Sequence, residues 1–257
     1  MEAIMTNREI MDVALLQSAW DLQCDVKDFF KDEPVVVISK PEKRKKKFMP
    51  EINALEMVSY GTNVVASVVD ELKEIAETYL KGKDPERAFE APGLFELNRA
   101  LLPFGYEVSF MGQDYLPRTE LLKELPCPFE MKVLEKGEFE HLYTDDFSNA
   151  LCEKRKHLDI LCVAAYDKGR EIGMAGCSTD GENMWQIGID VFKEYRKMGV
   201  ASALTSRLAL EVLKRGNVPF YGCAWANVKS QRNAVKCGFR PAWAFLTAKR
   251  IESGENE

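Results

Sequence analysis

The sequence predicts an α+β fold: a mixed α/β sheet flanked by helices, with a smaller mixed domain N-terminal to it. Three observations carry this. Residues 160–191 hold three consecutive strand-like runs joined by polar turns, a long amphipathic helix follows over 199–215, and a strand, a short helix and a closing strand reach 249. A meander pairs antiparallel, whereas strands joined through a helix pair in parallel, so both pairings are expected in one sheet.

In chain order, Val35–Ile38 is a short buried strand bounded by Pro34 and Pro41. Residues 55–60 and 63–69 read as two strands around Gly61. A helix over 70–81 carries acidic residues in its first turn and stops at Gly82. A second helix over 93–102 ends at Pro103 and Gly105, and 106–111 alternates as a strand. Pro117, Pro126 and Pro128 mark 113–128 as a connector, which puts a domain boundary near 127. The expected division is 1–127, 128–249 and a polar tail over 250–257. In the second part, 129–134 is a strand and 137–158 is expected to be helical. The strands 160–166, 171–177 and 184–191 follow, turned by Asp167-Lys168-Gly169 and by residues 179–183. After the helix over 199–215 come a strand over 218–225, a helix over 228–236 and a strand over 242–249.

The apolar share of 46%, the charged share of 30% and the net charge of −6 are those of an ordinary globular chain without a global basic field. Nucleic acid is therefore not an expected partner. The run Lys43-Arg44-Lys45-Lys46-Lys47 reads as a solvated loop. Seven cysteines, several inside apolar runs such as Ile160–Ala165, fit reduced buried thiols. Two histidines and no cluster at ligand spacing argue against a bound metal. No stretch approaches the roughly 20 apolar residues of a membrane span, and no signal-peptide pattern opens the chain. A cytoplasmic protein without membrane contact is expected.

The chemistry concentrates between the third meander strand and the long helix, in Val191-Phe192-Lys193-Glu194-Tyr195-Arg196-Lys197-Met198-Gly199-Val200-Ala201. Unpaired N–H groups at a helix start, together with the macrodipole, suit a pyrophosphate, and Gly199 and Ala201 let a ligand approach the backbone. Alone, Arg-x-x-Gly-x-Ala fits a plain strand-to-helix turn equally well. With Trp225-Ala226-Asn227-Val228-Lys229-Ser230 and Ala234-Val235-Lys236-Cys237-Gly238-Phe239 downstream, however, residues 129–249 resemble the GNAT (GCN5-related N-acetyltransferase) superfamily.

That resemblance implies an N-acyltransferase, transferring acetyl from acetyl-CoA (coenzyme A) to an amine of a small molecule or peptide, with no metal. It implies backbone groups of Ile189 and Val191 along the pantetheine arm. The amides of Arg196, Lys197, Met198, Gly199, Val200 and Ala201 would cradle the pyrophosphate, and Asn227 and Ser230 would lie near the cofactor. Lys193 stands where the family often has proline, and Ala201 where glycine is commoner. Ala234 occupies the position at which many members carry a tyrosine that protonates the leaving thiolate. The competing class is therefore a non-catalytic acyl-CoA-binding sensor or interaction module, which an amine panel would discriminate.

In the implied reaction an amine attacks the thioester and a strand amide near Ile189 holds the oxyanion. An amine with an ordinary pKa of about 10.4 needs a base. Glu182 is the candidate and Asp190 the second option. Trp185, Trp225 and Trp243 read as core or as pocket lining. The N-terminal region caps the acceptor pocket, forms a homodimer interface or is a decayed copy of the same fold; its sequence does not choose among these.

Overall fold

The apolar periodicities become strands and helices close to their expected places in the computed structural model, which describes residues 5–252. Of the expected tail, residues 253–257 lie outside the described residues. In order the elements are α1 (Asn7–Leu22), β1 (Val35–Ile38), β2 (Leu55–Ser59), β3 (Val65–Val68), α2 (Lys73–Leu80), α3 (Ala91–Leu101), β4 (Tyr106–Pro117) and β5 (Glu130–Glu135). Then come β6 (Asp159–Asp167), β7 (Arg170–Ser178), β8 (Met184–Val191), α4 (Val200–Lys214), β9 (Val218–Ala224), α5 (Val228–Lys236) and β10 (Phe239–Arg250). Two compact units result. The first is the chain through Ala14 with Tyr115–Pro241, and the second is Leu15–Asp114 with the chain from Ala242 onward.

In the first unit the strand order runs β9-β8-β7-β6-β5. The meander β5 to β8 pairs antiparallel throughout, and β8 pairs with β9 in parallel. Helix α4 packs on β6, β7 and β8, burying Leu204, Leu208 and Val212 along its inner stripe. On the other face Phe139, Leu142, Phe147, Ala150 and Leu151 pack on Cys162, Ala164 and Met174.

In the second unit β1 and β3 pair in parallel, and β2 pairs antiparallel with β3 and β10. Leu55 and Met57 of β2 join Ala66, Val68, Leu246 and Ala248 against α2 and α3. Strand alternation therefore directs Glu56 to the opposite face.

Three differences from the sequence reading have physical causes. Helix α1 was not anticipated, although a capping box announces it: Thr6 N–H donates to Glu9 Oε2 at 2.7 Å and Glu9 N–H to Thr6 Oγ1 at 3.3 Å. Strand β4 continues through Pro117, where a missing N–H at the last position costs little. The largest correction concerns 137–158, which is no continuous helix. It is a strap of short 3-10 turns, Glu140–Leu142, Asp145–Phe147 and Glu153–Arg155. Its amides go to carboxylates on the strands instead of to i−4 carbonyls. Asp190 Oδ2 accepts from Asn149 N–H at 2.8 Å and Ala150 N–H at 2.9 Å, and Asp159 Oδ2 accepts from Cys152 N–H at 2.9 Å.

Candidate active site

The site begins where β8 and β9 part. They are paired only over Met184–Gln186 and Val218–Phe220, so beyond Gln186 the two strands splay. On its other edge β8 keeps its ladder with β7 up to Gly173↔Val191, and Phe192 N–H donates to the Ile172 carbonyl at 3.0 Å. In that antiparallel register the even-numbered residues exchange bonds with β7. The odd ones, Ile187, Ile189 and Val191, direct N–H and C=O toward the splay. A sheet edge left open in this way can accept an extended ligand as though it were another strand.

At the open end the chain turns through Lys193–Tyr195 and enters α4. Arg196 ties this turn to the strand: its Nε donates to the Val191 carbonyl at 3.0 Å. Tyr195 Oη donates to Asp167 Oδ2 at 3.0 Å, anchoring the turn to the end of β6. Gly199 is the N-cap of α4 at φ +88°, a left-handed conformation that side chains resist. A methyl group added there would meet nothing closer than the Pro126 carbonyl at 4.0 Å, so the space on the side-chain side of Gly199 is open. The first N–H groups of α4 have no acceptor within the helix and, with its dipole, favour an anion. Residues Arg196, Lys197, Met198, Gly199, Val200 and Ala201 thus form one continuous turn at this terminus.

Across the splay, β9 leads into α5. Asn227 caps that helix, its side-chain oxygen accepting from Ser230 N–H at 3.2 Å. Ser230 Oγ is 2.9 Å from Tyr221 Oη, and Tyr221 is the first residue of β9 beyond the paired segment. Burial raises the Tyr221 phenol above its usual range, against the opposing hydrogen bonds from Ser230 and Asn233. Asn233 Oδ1 accepts from Ser202 Oγ at 2.9 Å and its Nδ2 donates to Thr205 Oγ1 at 3.1 Å, joining α5 to the first turns of α4. Ala234 is fully buried. Trp225 is exposed, whereas Trp185 and Trp243 are buried.

The two candidate bases are placed differently. Glu182 is exposed on the 179–183 turn, before the paired segment Met184–Gln186, so the closed end of the splay lies between it and Ile189. Asp190 has both oxygens occupied, Oδ2 by the strap amides and Oδ1 by Asn149 Nδ2 at 3.0 Å. It is a fastener. Beneath the strap, Gly176 and Gly188 are register partners on β7 and β8. A methyl group at Gly188 would stand 1.8 Å from the Asn149 carbonyl oxygen, and one at Gly176 would stand 2.1 Å from that of Ala150. The paired glycines form a trench into which the strap sinks, alongside Ile189. Sequence reasoning missed both this trench and Tyr221, because neither follows from local spacing.

The family model described as the acetyltransferase (GNAT) family matches residues 120–239. The C-terminal half of this chain is a GNAT domain. The match spans both walls of the splay and the α4 terminus. A GNAT fold supports acyl transfer in general.

Among solved structures, a GCN5-related N-acetyltransferase-like protein from Streptococcus suis is similar at 21% identity and TM-score 0.44, over 59% of this chain and 69% of that one. A GNAT-family acetyltransferase from Colwellia psychrerythraea is similar at 16% identity and TM-score 0.44, over 58% and 60%. A GCN5-related N-acetyltransferase from Sphaerobacter thermophilus is similar at 15% identity and TM-score 0.47, over 76% and 74%. The chain spans about two thirds of the length of the first of these relatives. No curated protein matches it by sequence. Among the described residues no helix is long and apolar enough to cross a membrane, and no group of three or more His, Cys, Asp or Glu is arranged to hold a metal.

Proposed function

We propose that the GNAT domain is an acetyl-CoA-dependent N-acetyltransferase acting on an amine of a small molecule or peptide, with the cofactor site inside 128–249. The observation that carries this reading is the splay of β8 from β9, with the α4 N-terminus at its open end. The pyrophosphate lies on the amides from Arg196 to Ala201, whose N–H groups and dipole match its charge. The pantetheine arm runs along Ile189 and Val191 as an added strand. The thioester carbonyl takes an N–H of β8 near Ile189, which meets the oxyanion when the amine attacks. Tyr221 with Ser230 is the proton source for the departing thiolate, in place of a residue at 234. A phenol whose pKa is raised by burial stays protonated at neutral pH and is available as an acid.

The test is calorimetric titration with acetyl-CoA, comparing wild type with Ala201→Asp. Position 201 is the second residue of α4, where a carboxylate suits the helix dipole and leaves folding intact, yet it repels a pyrophosphate. Gly199 serves less well, because any side chain at φ +88° adds strain. Saturable binding weakened by about tenfold or more in the variant is the expected result. No binding by folded wild type, or equal binding by the variant, overturns the reading.

A further inference from the structure

Tyr221 and Ser230 are paired, and the direction in which the pair passes a proton depends on a third side chain. Tyr221 is 2% exposed, whereas Ser230 is half-buried at the start of α5, so Ser230 is the more accessible hydroxyl. Their oxygens are 2.9 Å apart, and either can be the donor. Among the described residues Ser230 Oγ bonds Tyr221 alone.

Asn233 chooses the direction. A primary amide has one acceptor oxygen and two N–H donors. Its Oδ1 accepts from Ser202 Oγ at 2.9 Å, and Nδ2 gives one hydrogen to Thr205 Oγ1 at 3.1 Å. The Cys237 thiol donates to the Ser202 carbonyl at 3.3 Å and closes this cluster between α4 and α5. Asn233 also hydrogen-bonds the Tyr221 phenol in the sense that favours its ionised form, which an N–H donor does and a carbonyl oxygen does not. The second Nδ2 hydrogen therefore goes to Tyr221 Oη. A phenol oxygen that accepts from Asn233 keeps its own proton for Ser230. Ser230 Oγ, accepting from Tyr221, then has its hydrogen free for a ligand.

We propose that Asn233 is a positioning residue for acyl transfer: it donates to Tyr221, Tyr221 donates to Ser230, and Ser230 donates to the sulfur of the departing coenzyme A. This rests on the acyl-transfer reading above. As the C–S bond breaks, its electron pair goes to sulfur, which takes the Ser230 proton while Ser230 takes that of Tyr221. The phenolate that remains is held by the Asn233 N–H. The attacking amine loses one proton as the amide bond forms, and that proton returns through solvent to restore the phenol. Asn233 itself touches neither substrate nor cofactor. Its polar side chain matters here because position 234 holds a fully buried alanine, which has no proton to give.

The experiment needs no acceptor amine. Coenzyme A is bound at saturation and its thiol is titrated by thiolate absorbance, read against the same titration of the protein alone. Wild type is compared with Asn233→Asp, which is isosteric. Its carboxylate still accepts from the Ser202 and Thr205 hydroxyls and ties α5 to α4, and a circular-dichroism melt verifies the fold. A carboxylate cannot donate, so the Tyr221 proton turns toward it and the relay reverses. In wild type the bound thiol should ionise more readily than free coenzyme A, because Ser230 hydrogen-bonds the thiolate. Asn233→Asp should give about tenfold less thiolate at the same pH, and Ser230→Ala a similar loss. The same loss in Asn233→Leu separates the missing donor from the added charge. Calorimetric affinity for acetyl-CoA, which has no thiol, should stay within about twofold of wild type in both Asn233 variants. If wild type does not bind acetyl-CoA, the acyl-transfer reading falls and this proposal with it. If acetyl-CoA binds and the thiol ionises alike in wild type and the Asn233 variants, the reading stands and Asn233 has no positioning role.

Discussion

Asp159 and Asp190 of the first unit and Glu56 and Asp114 of the second are all carboxylates projecting from sheet strands, and they meet opposite conditions. Asp190 receives three N–H donors from the strap, and Asp159 receives the Cys152 N–H and the Tyr143 hydroxyl at 3.0 Å. Burial raises Asp159, and those donors pull it back. Glu56 has burial without donors and rises to about 8. The lesson concerns how a buried acid is read. With donors it is a fastener that holds backbone in a non-helical path; without them burial favours its protonated form.

The largest test of this contrast is pH. Glu56 has a folded-state pKa near 8, above its ordinary 4.5, so ionisation takes nothing from stability while the group is protonated in both states. As pH rises through 4.5 the unfolded chain ionises first, and stability falls until pH passes about 8. Denaturant titrations across this window should show wild type losing stability relative to Glu56→Gln, by on the order of 4 kcal/mol at the alkaline end. A constant difference across the window would remove the claim that Glu56 lacks compensation.

Next in size is Gly188→Ala. The added methyl cannot coexist with the Asn149 carbonyl at 1.8 Å, so the strap must lift from its trench. A loss of about 3 kcal/mol in the urea transition is expected, the upper range for overpacking a filled interior. Unchanged stability would mean that the strap does not seat there. Smallest is Asp190→Ala, which strips the acceptor from two backbone amides without adding bulk. It should cost about 2 kcal/mol and speed hydrogen exchange at Asn149 and Ala150. Exchange as slow as in wild type would show those amides to be held by something else.

Much of the fold was legible because it is written locally. The β6–β7 turn at Asp167-Lys168-Gly169, the start of α4 at Gly199 and the stop of α2 before Gly82 all came from neighbouring residues. The capping box at Thr6 and Glu9 was equally local and was overlooked. The strap was misread as a helix because its residues permit one; what decides against it is Asp190, 41 residues away from Asn149. Of the expected site, the run from Arg196 to Ala201 forms one turn tied to Val191, and Asn227 and Ser230 stand together at the start of α5. Glu182 lies behind the closed end of the splay.

By itself, then, the sequence determined the meander, the long helix, the strand–helix–strand close and the glycine-bearing turn that carries the GNAT resemblance. These depend on periodicity and turn chemistry within a few residues. Only the tertiary structure decided where β8 leaves β9, that Gly176 and Gly188 face one another, and that Glu56 is enclosed without a donor. Each of those depends on register between segments far apart in the chain, and a one-residue slip in register would move every such side chain to the other face.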